Sequence, residues 1–176
     1  VARVLSGYVD CIVARVFEHK SLEELAAYAD VPVVNALSDW EHPCQIMADM
    51  LTIQEHQGDL SGLKLAFIGD GNNVARSLCL GLPPMGVHFT IAGPQGYDLD
   101  EASLSLARQR AGDDSIQVLT TSDPIVAVKD ADIVYTDAWT SMGQEAEAET
   151  RRQHFHGYTV NPGLMAKANP GALFMH

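Results

Sequence analysis

The chain has 176 residues, 47% of them hydrophobic, and 11 Lys and Arg against 23 Asp and Glu give a formal charge of −12. With 19% charged residues and no basic run, this composition argues against non-specific nucleic-acid binding. No stretch approaches the roughly 18 uninterrupted apolar residues of a membrane helix. A phosphate site stays compatible with the negative charge, because such sites are built locally. The opening Val1-Ala2-Arg3-Val4 has no signal-peptide layout. Cys11, Cys44 and Cys79 are widely spaced, which reads as a reducing, cytoplasmic setting with neither a disulfide frame nor a zinc knuckle. The chain opens without Met and closes on the apolar Leu173-Phe174-Met175-His176, a strand-like run, so it reads as a piece of a longer polypeptide.

In chain order, the β-branched run Tyr8 to Val16 predicts a buried strand. Ser21-Leu22-Glu23-Glu24 has the form of a capping box opening a short helix to about Ala27. Val31 to Asn35 reads as a strand. Residues 43–57 predict an amphipathic helix with Ile46, Met47, Met50, Leu51 and Ile53 as its apolar positions and Pro43 in its first turn. A turn-rich break at Gln57 to Gly62 follows. Strands are then expected at Leu63–Ile68, Val87–Ala92, Ile116–Leu119 and Asp132–Thr136. Helices are expected at Val74–Leu80, Asp100–Arg110, after Asp123-Pro124, and at Glu145–Phe155. Leu82-Pro83-Pro84-Met85 should end the first of these early. This rhythm predicts an α/β fold with doubly wound parallel sheets.

Three segments carry chemistry at strand or helix ends. Gly69-Asp70-Gly71-Asn72-Asn73 sits where a dinucleotide fingerprint would, but Val74 replaces its third glycine and no acid closes the next strand. It is either a plain tight turn or a ligand loop in which the Asn73 amide meets a charged group. His42-Pro43-Cys44-Gln45 opens the long helix, where unpaired N–H groups suit an anion or a polarised carbonyl. His42 is otherwise a capping residue. Asp137-Ala138-Trp139-Thr140-Ser141-Met142-Gly143 follows a strand, with Asp137 a counter-ion for an ammonium group or a helix cap. Arg15, inside an apolar run, needs either a phosphate or a structural carboxylate. His154 and His156 lack a third ligand and read, with Arg151 and Arg152, as a solvated helix end. Glu145, Glu147 and Glu149 read as an exposed helix face.

Together these segments, with Asn35-Ala36-Leu37-Ser38-Asp39 and Phe174-Met175-His176, resemble the ornithine carbamoyltransferase family over essentially the whole chain. The His-Pro-x-Gln segment is shared with aspartate carbamoyltransferases, whereas the Ser-Met-Gly loop points to ornithine. The resemblance implies carbamoyl transfer from carbamoyl phosphate to the side-chain amine of L-ornithine, giving citrulline and phosphate, as in arginine biosynthesis. Arg15, His42 and Gln45 would hold carbamoyl phosphate and polarise its carbonyl. Asn73, Asp137, Ser141 and Met142 would hold ornithine. It also implies no metal, no cofactor and no covalent intermediate, and a homotrimer or multiple of trimers.

On the same resemblance, residues 1–50 would be the C-terminal part of a carbamoyl-phosphate domain. Residues 51–176 would be a nearly complete ornithine domain, with 43–57 the linking helix. The family's Ser-Thr-Arg-Thr-Arg and Cys-Leu-Pro segments have no counterpart here, so the chain alone is expected to turn over poorly. The rivals are a carbamoyltransferase for putrescine or acetylornithine, a non-catalytic binding module of the same build, and a nucleotide binder.

Overall fold

The computed structural model describes residues 1–141 and 143–176. Two parallel sheets organise the chain. In the first, β1 (Ile12–Arg15) pairs with β2 (Val33–Leu37), Ile12 opposite Val33 and Arg15 opposite Leu37. Around it lie α1 (Ala2–Ser6), α2 (His19–Tyr28) and the long α3 (Pro43–Gln57). The second sheet has the order β5-β4-β3-β6-β7. Its strands are β3 (Lys64–Ile68), β4 (His88–Ala92), β5 (Val118–Thr121), β6 (Ile133–Thr136) and β7 (Leu173–Met175). The connecting helices are α4 (Asn73–Gly81), α5 (Glu101–Arg110), α6 (Pro124–Val128), α7 (Ala148–His154) and α8 (Pro162–Met165).

Strand alternation divides the core. Leu65 and Phe67 of β3 face α3, α4 and α5, meeting Ile46, Ile53, Leu78, Leu104 and Tyr135. Ala66 and Ile68 face α6 and α8, meeting Ala127, Val128, Val134 and Leu164. Both faces of the sheet are covered, as a parallel sheet requires. Phe67 stacks on Tyr135 with ring centroids 5.7 Å apart, and both are buried; a buried aromatic of this kind contributes about 2 kcal/mol. Helix starts are fixed by side-chain oxygens. Asn72 Oδ1 accepts the Val74 and Ala75 N–H groups, Asp100 accepts from Ser103, and Asp123 accepts from Ile125.

Several sequence expectations shift. Tyr8 to Val16 is not a buried strand: only Ile12–Arg15 is extended, and Val13 and Tyr8 are 67% and 82% exposed. A two-stranded sheet leaves one of its faces bare. β2 begins two residues later than expected because its pairing with β1 sets the register. Ser21 caps nothing. The helix starts at His19, whose N–H donates to Asp39 Oδ1 at 2.9 Å, so a distant turn replaces the local capping box. On α3, Met47 and Leu51 are exposed and Asp49 takes the buried position. β5 lies two residues downstream of expectation, and the Glu145 helix divides into a 3-10 turn (Glu145–Glu147) and α7. α1 carries no clear sequence signal, whereas α8 opens on Asn161-Pro162, a cap and first-turn proline that the sequence reading passed over.

The glycine loop after β3 serves packing. Gly71 N–H donates to the Tyr97 carbonyl at 2.8 Å, and a Cβ at Gly71 would lie 2.6 Å from the backbone of Asp98 and Leu99. Its chain neighbour in space is therefore the 93–99 loop. Gly71→Ala should lower stability by about 1–3 kcal/mol through this backbone clash. Urea denaturation tests it; an unchanged midpoint would mean the 93–99 loop yields freely.

Candidate functional site

β3 is followed in the sheet by β4 on one side and β6 on the other, so the loops after β3 and β6 diverge. Such a switch point opens a crevice at the strands' C-terminal ends. Here the crevice faces β1, β2 and the start of α3, forming a cleft of about 990 Å³. Arg15, His42 and Gln45 line it from one side, and Asn73, Asp137 and Ser141 from the other. Met142 lies outside the described residues.

His42 sits at the N-cap of α3, and its backbone N–H donates to Ser77 Oγ of α4 at 2.8 Å. Burial and the nearby Arg15 charge push its imidazole below the ordinary value of 6.5. The ring is thus neutral at physiological pH and keeps one N–H to donate. Its Nδ1 is buried and has no hydrogen-bond partner among the described residues. Arg15 ends β1 and is exposed rather than buried, contrary to expectation, and enters no ion pair among the described residues. Its guanidinium lines the cleft, and such a planar fork of donors suits a phosphate or a carboxylate. Gln45 donates through Nε2 to Asp49 Oδ1 at 2.9 Å. Asp49 Oδ2 accepts the Tyr135 hydroxyl at 3.0 Å.

On the facing wall, Asp137 accepts the Asn72 side-chain N–H at 2.8 Å and its own Ala138 N–H at 2.8 Å. Asn72 thus caps α4 with its oxygen and orients Asp137 with its nitrogen. Sequence reasoning passed over it in favour of Asn73. The Asn73 amide bridges the cleft, donating to the Ser38 carbonyl at 2.7 Å. The Ser141 N–H donates to Gln144 Oε1 at 3.1 Å. At Gly143, whose φ is +86°, an added Cβ would come within 3.1 Å of the Phe17 ring, so this loop reaches the opposite wall.

Other site residues were missed. Asp70 and Arg151 form a buried ion pair at 2.7 Å, 11% and 8% exposed at their side chains. Arg151 also donates to the Trp139 carbonyl and Glu147, tying α7 to both loops; it is no solvated helix end. Burial pushes the Asp70 carboxyl above its usual range, against the pull of Arg151. Arg76 pairs with Asp100 at 3.1 Å and lies 3.7 Å over the Trp40 ring. His154 is taken up by the Tyr97 hydroxyl at 2.9 Å. Among the described residues no three His, Cys, Asp or Glu side chains gather as a metal site. Glu147 and Glu149 pair with Arg151 and Arg152 at one-turn spacing, so the acidic run is partly neutralised.

The geometry defines a class first: a two-unit α/β protein in which a guanidinium, an imidazole and an amide face a carboxylate and a hydroxyl across a cleft at a sheet switch point. Residues 61–176 match the Asp/Orn-binding domain of aspartate/ornithine carbamoyltransferase, and residues 1–55 match its carbamoyl-P-binding domain. The chain belongs to the aspartate/ornithine carbamoyltransferase family. It is 51% identical over 175 residues to the ornithine carbamoyltransferases of Pyrococcus abyssi and of Bacillus subtilis, covering 99% of this chain and 55% of each relative. The solved ornithine carbamoyltransferase of Pyrococcus furiosus superposes with a TM-score of 0.94 at 51% identity, over 99% of this chain and 56% of that one. A mitochondrial ornithine carbamoyltransferase from Coccidioides immitis gives 0.88 at 38% identity, over 99% and 56%. The chain thus spans about half the length of the relatives it matches.

The depressed His42 value has a direct test. Its midpoint in an NMR titration should fall below 6.5. Arg15→Gln removes a like charge and should move that midpoint up. Below 6.5 the unfolded chain protonates first, so His42 costs stability as pH falls from there through its folded midpoint. An unmoved or lower midpoint in Arg15→Gln would refute the electrostatic coupling.

Proposed function

We propose that the protein carrying this chain transfers the carbamoyl group of carbamoyl phosphate to the side-chain amine of L-ornithine, giving L-citrulline and phosphate. The observation that carries this reading is the cleft itself. A free guanidinium, a neutral imidazole and an amide on one wall face a carboxylate and a hydroxyl on the other. The names of the 51%-identical relatives point the same way.

In this reading Arg15 binds the phosphate and the His42 N–H donates to the carbonyl oxygen, on which negative charge grows during attack. The amine nitrogen bonds to the carbonyl carbon, and the bond from that carbon to the phosphate oxygen breaks. Phosphate leaves with the electron pair, and the amine's surplus proton passes to phosphate or water. Asp137, held by Asn72, takes the α-ammonium of ornithine, with Ser141, Met142 and Asn73 completing its pocket. Asn73 would exchange its bond to the Ser38 carbonyl for one to the amino acid. The chemistry then rests on positioning and on oxyanion stabilisation.

By the same proposal residues 1–50 belong to the donor unit and 51–176 to the acceptor unit. The assembly is a homotrimer or a multiple of trimers, in which exposed apolar side chains such as Val13, Met47 and Leu51 would find cover. Three free thiols fit a cytoplasmic setting.

The test offers the complete polypeptide carbamoyl phosphate with equal ornithine, putrescine and acetylornithine, and identifies products by mass. Citrulline should dominate. Asp137→Ala should raise the KM for ornithine about tenfold to a hundredfold, the usual cost of losing a charged hydrogen-bond partner. A dominant carbamoylated product other than citrulline would overturn the acceptor assignment.

A further inference from the structure

Asp49 is 5% exposed and lies on the stripe of α3 that otherwise buries Ile46 and Ile53, with Met50 half-buried beside them. A carboxylate in that position is costly unless both oxygens are paired. Both are: Gln45 Nε2 donates to Oδ1 at 2.9 Å, and the Tyr135 hydroxyl donates to Oδ2 at 3.0 Å. Tyr135 belongs to β6 and is itself 2% exposed, so the carboxylate is anchored from the sheet. Gln45 and Asp49 are four residues apart on one helix, where side chains meet. A carboxylate can only accept, so it takes the amide nitrogen and leaves Gln45 Oε1 as the group free to meet a ligand in the cleft. Oε1 has no hydrogen-bond partner within the chain among the described residues.

We infer that the Tyr135–Asp49 pair is an orientation lock that presents Gln45 Oε1 as an acceptor to the NH2 group of the carbamoyl donor, and so selects carbamoyl phosphate over acyl phosphates that carry a methyl in its place. The inference rests on the carbamoyl-transfer reading and names two positioning residues for the donor's identity. With its nitrogen bound to a carboxylate, the amide is polarised and its oxygen becomes a stronger acceptor. Acetyl phosphate offers that oxygen a methyl group and leaves it desolvated and unpaired. A site built to bind a substrate N–H rejects an analogue lacking it for this reason.

The experiment measures equilibrium binding of carbamoyl phosphate and of acetyl phosphate to the complete polypeptide by calorimetry. The parent should prefer carbamoyl phosphate by on the order of tenfold or more. Asp49→Leu frees the Gln45 amide and should bring the ratio close to one. Asp49→Asn still offers an oxygen to Gln45 and should keep most of the preference. A merely structural Asp49 would weaken both ligands alike and leave the ratio untouched, and that outcome overturns the inference. Should Asp49→Leu fail to fold, the Gln45 side-chain amide signals of the parent decide. Slow solvent exchange with and without carbamoyl phosphate supports the lock; fast exchange, or a change of partner on binding, overturns it. If neither acyl phosphate binds, the carbamoyl-transfer reading fails first and takes this inference with it.

Discussion

The contact on which the site depends is the docking of the first turns of α4 on the turn from Ser38 to His42. Three bonds make it: Asn73 to the Ser38 carbonyl, Arg76 to the Trp40 carbonyl, and the His42 N–H to Ser77 Oγ. The Arg76 guanidinium adds its stacking on Trp40. With α3, whose Ile46 and Ile53 lie in the core of the second sheet, this junction sets the two walls face to face. At about 1 kcal/mol for each hydrogen bond and a similar amount for the cation–π contact, the junction is worth only a few kcal/mol.

Buried charge is handled the same way on both walls. Asp49 lies behind the cleft and Asp70 lines it, and each is held by one side chain distant in sequence, Tyr135 and Arg151. Pairs of this kind gain little net stability, because desolvation offsets attraction. What they gain here is placement: Asp49 fixes Gln45, while Asp70 and Arg151 tie the loops after β3 and β6 to α7. Asn72 does related work with a neutral side chain, serving a helix end and Asp137 at once. The groups that face the cleft are thereby oriented from behind.

Much of this could be read from the residues. Period and punctuation located β3, α4, β4, α5 and β6 closely, because these elements are buried on known faces and bounded by Asn, Asp, Gly and Pro. Arg15, His42, Gln45, Asn73, Asp137 and Ser141 stood out as polar groups at strand or helix ends, and one cleft receives them all. What failed depends on partners far away in sequence. The start of α2 is set by Asp39, the limits of β1 and β2 by each other, and the burial of Asp49 by Tyr135, 86 residues away. Arg151 looked like surface because its partner Asp70 lies 81 residues upstream. For Asp49 a signal existed: it interrupts the apolar positions 46, 50 and 53 on their own face. For Arg151 only pairing in three dimensions reveals the role.

The divergence of the loops at the switch point has a consequence for change over time. In the proposed reading the donor-facing groups stand on β1 and the first turn of α3, whereas the acceptor-facing groups stand on two loops of the other sheet. The loop from Asp137 to Gly143 leaves a strand whose register is already fixed by β3 and β7. Exchanges there leave the register of the sheet alone, while the contact of Gly143 with the Phe17 ring limits what the loop can carry at that point. In the proposed reading, a change in that loop alters which amine is taken, while the wall carrying Arg15, His42 and Gln45 is untouched. On that reading new specificity lies within reach of one short stretch of chain, and the wall that would hold the donor is inherited intact.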